Sequence, residues 1–296
     1  MNALEKLQAV QISADNQISE ADRRFCKAHQ SAYKEAKDML SELKYIWEDA
    51  LNRQHQLLEP YETSRYTLDK YISVPNFSVR DIEQRLENIH RVFINNLVDH
   101  FNSVYKVSLD SQEITDTLLP QKPKSDCFSP NTEAVDEYEK MMRSMTVEHK
   151  DVLDQIFIQL GGRTFLERAL DEIKEACHKA AWCTYSGKAE YELKNDAVRF
   201  TYGCQFSDLF EKWELTDSMK KILRGLAYFE SEILGYYPAA IENLLGYSRL
   251  EDPRVEFTSY TKLHSLRMFK NGRVDVKFKN KNYADQFASE YLGLVC

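Results

Sequence analysis

Cysteine and histidine are the side chains of this 296-residue chain best suited to metal binding or nucleophilic chemistry; their spacing argues against the first, and the second needs Cys177, Cys183 or Cys204 beside a histidine in space, which spacing does not show. Cys177-His178 with Cys183 and Cys204 is the densest group. Zinc favours ligand pairs separated by about two to four residues, whereas Cys177 and Cys183 are six positions apart. Cys177 also falls on the apolar face of its expected helix, where a free thiol packs as a small hydrophobe. Cys26 and His29 share a helix turn, with no second pair to complete a ligand set. His90 and His100 lie on one expected helix. His100 sits on the apolar seam, the place of a hydrogen-bonded core histidine rather than a base. Gly161-Gly162-Arg163 precedes a helix and has the makings of an anion site, but a helix–helix turn explains it more simply. The sequence holds no G-x-x-x-x-G-K-[ST] or G-x-G-x-x-G phosphate loop, no G-x-S-x-G elbow and no H-E-x-x-H. The expectation is a non-catalytic chain with no metal site and no cofactor.

The remaining candidates would contact a partner. Tyr236-Tyr237-Pro238 interrupts a helical region, and Tyr247 follows shortly after. Such aromatics anchor interfaces, or they pack at a helix junction. Arg273 and Lys277, with Lys270, Lys279 and Lys281, make the C-terminal segment locally basic. Lysines guarding a sheet edge account for this pattern, with nucleic-acid contact as the alternative. Tyr236, Tyr237, Tyr247, Arg273 and Lys277 are the expected partner-binding residues.

Composition narrows the class. The net charge is −8 and the isoelectric point about 5.5. With no basic block, a directly bound nucleic acid is not expected. An acidic surface complements a basic partner, including the DNA groove of a nucleic-acid enzyme. No signal peptide is evident and no apolar run approaches the ~20 residues of a membrane span. A cytoplasmic chain with reduced thiols and no membrane contact is expected. Nine glycines and seven prolines favour long helices over a loop-rich β protein.

The expected fold is α+β, mainly α: a long N-terminal helical hairpin and a C-terminal domain of helices with antiparallel β-hairpins. Ile18, Ala21, Phe25, Ala28, Ala32, Ala36, Met39, Leu43, Ile46 and Ala50 recur in steps of three and four. This is the seam of a helix that packs along about 50 Å, within the chain or against another subunit. Pro60 and Pro75-Asn76-Phe77 end the run. Ser78 and Asp81 form a capping arrangement ahead of a second seam, Val79, Ile82, Leu86, Ile89, Phe93, Asn96, His100 and Val104. Residues 1–107 are read as a helical domain, 108–131 as a proline-bearing linker, and 132–296 as the α+β domain. In the last, helices are expected over 131–145, 146–160, 164–182, 207–213, 216–234, 239–245 and 282–292. Hairpins are expected near 188–202 and 263–278. The first turns at Asn195-Asp196, placing Leu193 opposite Val198, Tyr191 opposite Phe200 and Glu192 opposite Arg199.

In the terminal hairpin a two-residue Asn271-Gly272 loop would oppose apolar to polar residues. A three-residue loop, Lys270-Asn271-Gly272, sets Met268 against Val274, Leu266 against Val276 and Arg267 against Asp275 as an ion pair. Gly272 then takes the left-handed bulge position. Phe269-Lys270-Asn271-Gly272 and the following strand to Phe278 resemble the C-terminal signature of a domain of unknown function found in phage and mobile-element proteins, sometimes beside DNA methyltransferases. That pattern reads Phe-Lys-Asn-Gly-Asn-x-His and a further Phe. Arg273 and Asp275 replace its Asn and His, which puts any chemistry of those two residues in doubt here. The match spans about thirty residues. Size and architecture are also similar to the phage-encoded Gabija anti-defence proteins, inhibitors that assemble around a bacterial nuclease complex.

The resemblance implies a phage inhibitor, homo-oligomeric, that binds a bacterial defence protein complex in the host cytoplasm and occludes DNA binding or cleavage. The alternatives are an accessory domain of a nucleic-acid-modifying enzyme and a structural helical protein.

Overall fold

A computed structural model describes residues 18–61, 78–123, 132–183, 185–246 and 250–293. The chain is α+β and mainly α, with a long N-terminal helix and antiparallel sheets in its C-terminal part. It divides into two compact units: Met1–Val104 with Leu109–Gly162, and Tyr105–Ser108 with Arg163–Cys296.

The first unit carries α1 (Glu20–Leu58), α2 (Val79–Tyr105), α3 (Ser111–Leu118), α4 (Thr132–Ser144) and α5 (His149–Leu160). α1 runs 39 residues from a capping box in which the Ser19 hydroxyl accepts from the Asp22 amide and the Asp22 carboxylate accepts from Ser19 N–H. At the head of α2, Ser78 N–H and hydroxyl both donate to Asp81, at 2.6 and 2.7 Å, as expected. These bonds and the nearby arginines hold the Asp81 carboxyl below its usual range.

The segment expected as a linker contains α3, whose N-cap Asp110 accepts from the amides of Gln112 and Glu113. The expected boundary at 108–131 is displaced, because α4, α5 and the link between them belong to the first unit. Gln30 donates to the Val147 carbonyl and accepts from the His149 amide, while Lys37 donates to Met145 O at 2.6 Å and to Thr146 Oγ1 at 2.9 Å. These bonds satisfy backbone groups between α4 and α5 from α1, so the two helices cannot belong elsewhere without orphaning them.

The second unit has α6 (Phe165–Ala181), β1 (Tyr191–Lys194), β2 (Ala197–Phe200), β3 (Cys204–Ser207), β4 (Lys212–Leu215), α7 (Asp217–Ser231), α8 (Ala239–Gly246), β5 (Arg254–Glu256), β6 (Leu263–Met268), β7 (Val274–Phe278) and α9 (Lys281–Phe287), which runs on into a π turn, Ala288–Leu292. The main sheet is antiparallel in the order β1-β2-β7-β6-β5, and β3 pairs with β4 separately. Both hairpins expected from the sequence form in the expected register. Phe269 and Arg273 close the terminal loop and Gly272 adopts φ +86°. The helix expected over 207–213 is instead the turn of the β3–β4 hairpin. There Cys204 pairs with Leu215 and Phe206 with Trp213, and Glu211 takes the left-handed turn conformation. Apolar residues at alternate positions on both sides of the turn overrode its helix-forming residues.

The core of this unit lies between helices and one sheet face: Val198, Phe200, Leu266, Met268, Val274, Val276 and Phe278 pack with Ile222, Leu223, Leu226, Phe229, Phe287 and Tyr291. Gly225 permits close approach of α7 to α6, since a Cβ there would collide with the Cys177 sulfur.

Candidate interaction surfaces

Of the expected partner-binding residues, Arg273 and Lys277 are already engaged. Across β2, β7 and β6, Arg199, Asp275 and Arg267 stand in one row. Asp275 lies 3.0 Å from Arg273 Nε and 3.6 Å from Arg199 Nε. Burial pushes its carboxyl above the usual range, against the pull of Arg273, Arg199 and Arg267. Arg267, the expected ion-pair partner, is opposite Asp275 in register, but its guanidinium lies over the Phe269 ring at 5.0 Å, with that of Arg273 at 3.8 Å. The strand pairing holds while the pairing of charges moves to Arg199 and Arg273. Lys277 reaches Asp196 at 3.4 Å, and Lys270 sits 4.1 Å over Phe206. This basic segment ties strands and loops together.

Tyr236 is exposed and Tyr237 half-buried; both line a cleft of about 410 Å³ walled by α6 and α7. The expected site residue Tyr247 lies outside the described residues. Arg273 and Lys277 do not line this cleft, so the expected residues do not form one surface.

The chemistry-bearing residues are dispersed. Cys177 is fully buried, its thiol pushed up to about 12 by desolvation, and it donates weakly to the Lys221 carbonyl. Cys204 is buried beside Phe269 and Arg273 carbonyls. Cys183 is partly exposed and its thiol is lowered by hydrogen bonds from Ser186 and Tyr185. Among the described residues no three His, Cys, Asp or Glu side chains converge as a metal site. Gly161 and Gly162 both take left-handed conformations, and the Gly161 amide caps α5 on the Ile158 carbonyl. His90, rather than His100, is the fully buried histidine; His100 bonds Asp22 at 2.8 Å.

α1 departs furthest from the sequence expectation. Its buried face is Asp22, Cys26, Gln30 and Tyr33; of the expected seam Ile18 is buried and Phe25 stacks on His100, while much of the rest is turned outward. Ala21, Ala28, Ala32, Met39, Leu43 and Ile46 are exposed among the described residues. Met39 is 63%, Leu43 38% and Ile46 55% exposed, values far above those of a packed seam. The reason is chemical. Asp22 meets His100, Gln30 meets Val147 and His149, and Tyr33 meets His90, so a polar stripe is fully partnered inside. Ala36, Met39, Leu40, Glu42, Leu43 and Ile46 line an open depression of about 520 Å³ on the outer side. Sequence periodicity identified this row and left open packing within the chain or against another subunit; within the chain, most of it is not packed. The signal for the buried face was Asp22, Cys26, Gln30 and Tyr33, at the same helical spacing.

Among the described residues no helix is long and apolar enough to cross a membrane. Compared with models of known protein families, with curated proteins and with solved structures, the chain matches none. The resemblance of the terminal hairpin therefore rests on its own residues.

Proposed function

We propose that this chain is a non-catalytic binding protein that docks on a protein partner through the outward apolar row of α1. The observation that supports this reading is the exposure of Met39, Leu43 and Ile46 at successive helical positions. Contiguous exposed apolar surface rimmed by polar residues is the mark of an interaction site. Here Lys34, Glu35, Asp38 and Glu42 supply the rim. A helix presented this way fits a groove through residues spaced by three and four.

The resemblance to phage and mobile-element proteins, and to Gabija anti-defence proteins, gives the partner in this proposal: a bacterial defence nuclease complex in the cytoplasm, blocked by steric occlusion of DNA binding or cleavage. A net charge of −8 suits contact with a basic DNA-binding surface. Self-association around that partner belongs to the same reading.

The test is phage plating on bacteria carrying a Gabija system, with and without this protein, together with affinity capture and solution mass. Wild-type protein is expected to restore plaques, retain the nuclease complex and show an oligomeric mass. Met39→Glu with Leu43→Glu and Ile46→Glu is expected to abolish rescue and capture while keeping its circular dichroism. Absence of rescue and capture by the wild type would sink the anti-defence reading. Full activity in the triple variant would sink the docking row.

A further inference from the structure

The α6–α7 cleft of the second unit has a construction that protein docking does not need. Its walls are Ala169, Ile173 and Ala176 from α6 and Lys221, Arg224 and Tyr228 from α7, and the turn bearing Tyr236 and Tyr237 closes one end. Small side chains on α6 leave the space open, and the cleft volume of about 410 Å³ falls within the usual range of small-molecule sites.

Three cations converge on this space: Lys106, Lys221 and Arg224. Each lacks a carboxylate within salt-bridge distance among the described residues, although the chain carries 47 acidic residues against 39 basic ones. The carboxylate that lines the cleft, Glu172, is taken by Arg168 at 2.8 Å. Lys106 is held by its backbone. It adopts the left-handed conformation, φ 57°, unusual for a side-chain-bearing residue. Its neighbour Tyr105 stacks on Phe165 at 4.2 Å, and its stem lies against Gly235, where a Cβ would come within 3.2 Å. A conformation that costs free energy is thus retained where it sets a lysine beside the tyrosine turn.

Polarity runs along the cleft. Lys221 and Arg224 precede Tyr228 on one face of α7, and α7 then leads into the turn with Tyr236 and Tyr237. At 1.5 Å per residue the cationic and aromatic ends are separated by roughly 10 Å. Lys221 and Arg224 toward one end and the aromatic rings at the other, with Lys106 beside the rings, match an anion joined to a flat ring.

We infer that this cleft binds a nucleoside monophosphate, with the phosphate on Lys221 and Arg224 and the base against Tyr236 and Tyr237. Lys106 approaches from the turn side and neutralises the ligand further. Arginine recognises phosphate through paired N–H donors, and tyrosine faces stack bases without regard to sequence.

Isothermal titration of the full chain with adenosine and uridine monophosphates tests this, with adenosine, uridine, inorganic phosphate and a short single-stranded oligonucleotide as comparison probes. The monophosphates are expected to bind at least about tenfold more tightly than nucleoside or phosphate alone, a step of one unit in log Kd. Arg224→Glu is expected to remove binding, Tyr236→Ala to weaken it by about tenfold, and Tyr236→Phe to retain it. Both positions are solvent-exposed, and circular dichroism reports that each variant stays folded. No heat with either monophosphate, an equal response to phosphate alone, binding unchanged in Arg224→Glu, or oligonucleotide binding without mononucleotide binding would each overturn the inference. The α1 triple variant is expected to bind the monophosphates normally, which separates this site from the docking row.

Discussion

Tyr33 accepts from the Val147 amide at 3.1 Å and donates to His90 Nδ1 at 2.7 Å; His90 Nε2 in turn donates to the Met142 carbonyl at 2.6 Å. Because a carbonyl only accepts, Nε2 carries a proton, and burial favours the neutral ring in which Nδ1 accepts from Tyr33. Burial lowers the His90 pKa below its ordinary value of 6.5. The stability this contributes is full above the unfolded-state pKa and is lost as the pH falls below it, since the unfolded chain then binds the proton first. Denaturant titrations of the first unit between pH 7 and pH 5 are expected to show falling stability, and His90→Leu to flatten that slope. Tyr33→Phe strands a buried amide and the His90 nitrogen, and a loss of about 2 kcal/mol is expected. At Gly225 the prediction is one of crowding. Gly225→Ala is expected to cost about 1–3 kcal/mol by forcing the new methyl into Cys177. Cys177→Ala is expected to restore much of it, a non-additivity read from a double-mutant cycle. Of the four described cysteines, Cys183 is expected to alkylate first, because its thiol is lowered and exposed while Cys26, Cys177 and Cys204 are buried.

Hairpins and helices differed in how far their sequences disclosed them. The register of β6 and β7 followed from alternation alone, because a slip of one residue would bury Asp275 and Lys277 on the core face. α1 was legible as a helix, but the choice between packing its seam within the chain and presenting it to another subunit was not. Apolar periodicity selects the face best suited to apolar burial, and here the inner face is held by Asp22, Gln30 and Tyr33, which count as polar until their partners are known. The β3–β4 hairpin was hidden because its strands are four residues each and its turn residues also suit a helix. The cleft was legible only as a pair of tyrosines; Lys221 and Arg224 lie on the helix just before them but read as solvated charges, and Lys106 is far away in sequence and enters through tertiary packing. At this scale the outward row of α1 gives a separable prediction. Met39→Glu is expected to change folding stability by no more than about 0.5 kcal/mol, since it replaces an exposed side chain. Chemical denaturation checks this independently of partner binding.

The two units have separate cores, and the boundary between them was misplaced because the sequence marks prolines but not which helix satisfies which backbone groups. Prolines 120 and 123 punctuate the first unit internally, whereas the true division after Gly162 carries only a glycine pair. With separate cores, destabilisation is expected to stay within a unit. Tyr33→Phe should accelerate amide exchange in α1, α2 and the α4–α5 link, and Gly225→Ala in α6, α7 and the main sheet, as read by hydrogen-exchange mass spectrometry. Exchange rising equally across both units in either variant would show a single cooperative body instead.

The strand order of the main sheet has a consequence for synthesis on the ribosome. β7 occupies the middle position, paired to β2 on one side and β6 on the other, yet it is the last strand among the described residues. While residues up to 273 emerge, the β1–β2 hairpin and the β5–β6 pair each wait with an open edge toward a neighbour not yet made. Lys106 and its three companions emerge earlier still, more than fifty residues ahead of the helices they join. The second unit is therefore completed late and all at once, by the strand that carries Arg273, Asp275 and Lys277, and translation stopping short of Val274 leaves two unjoined halves exposed to aggregation.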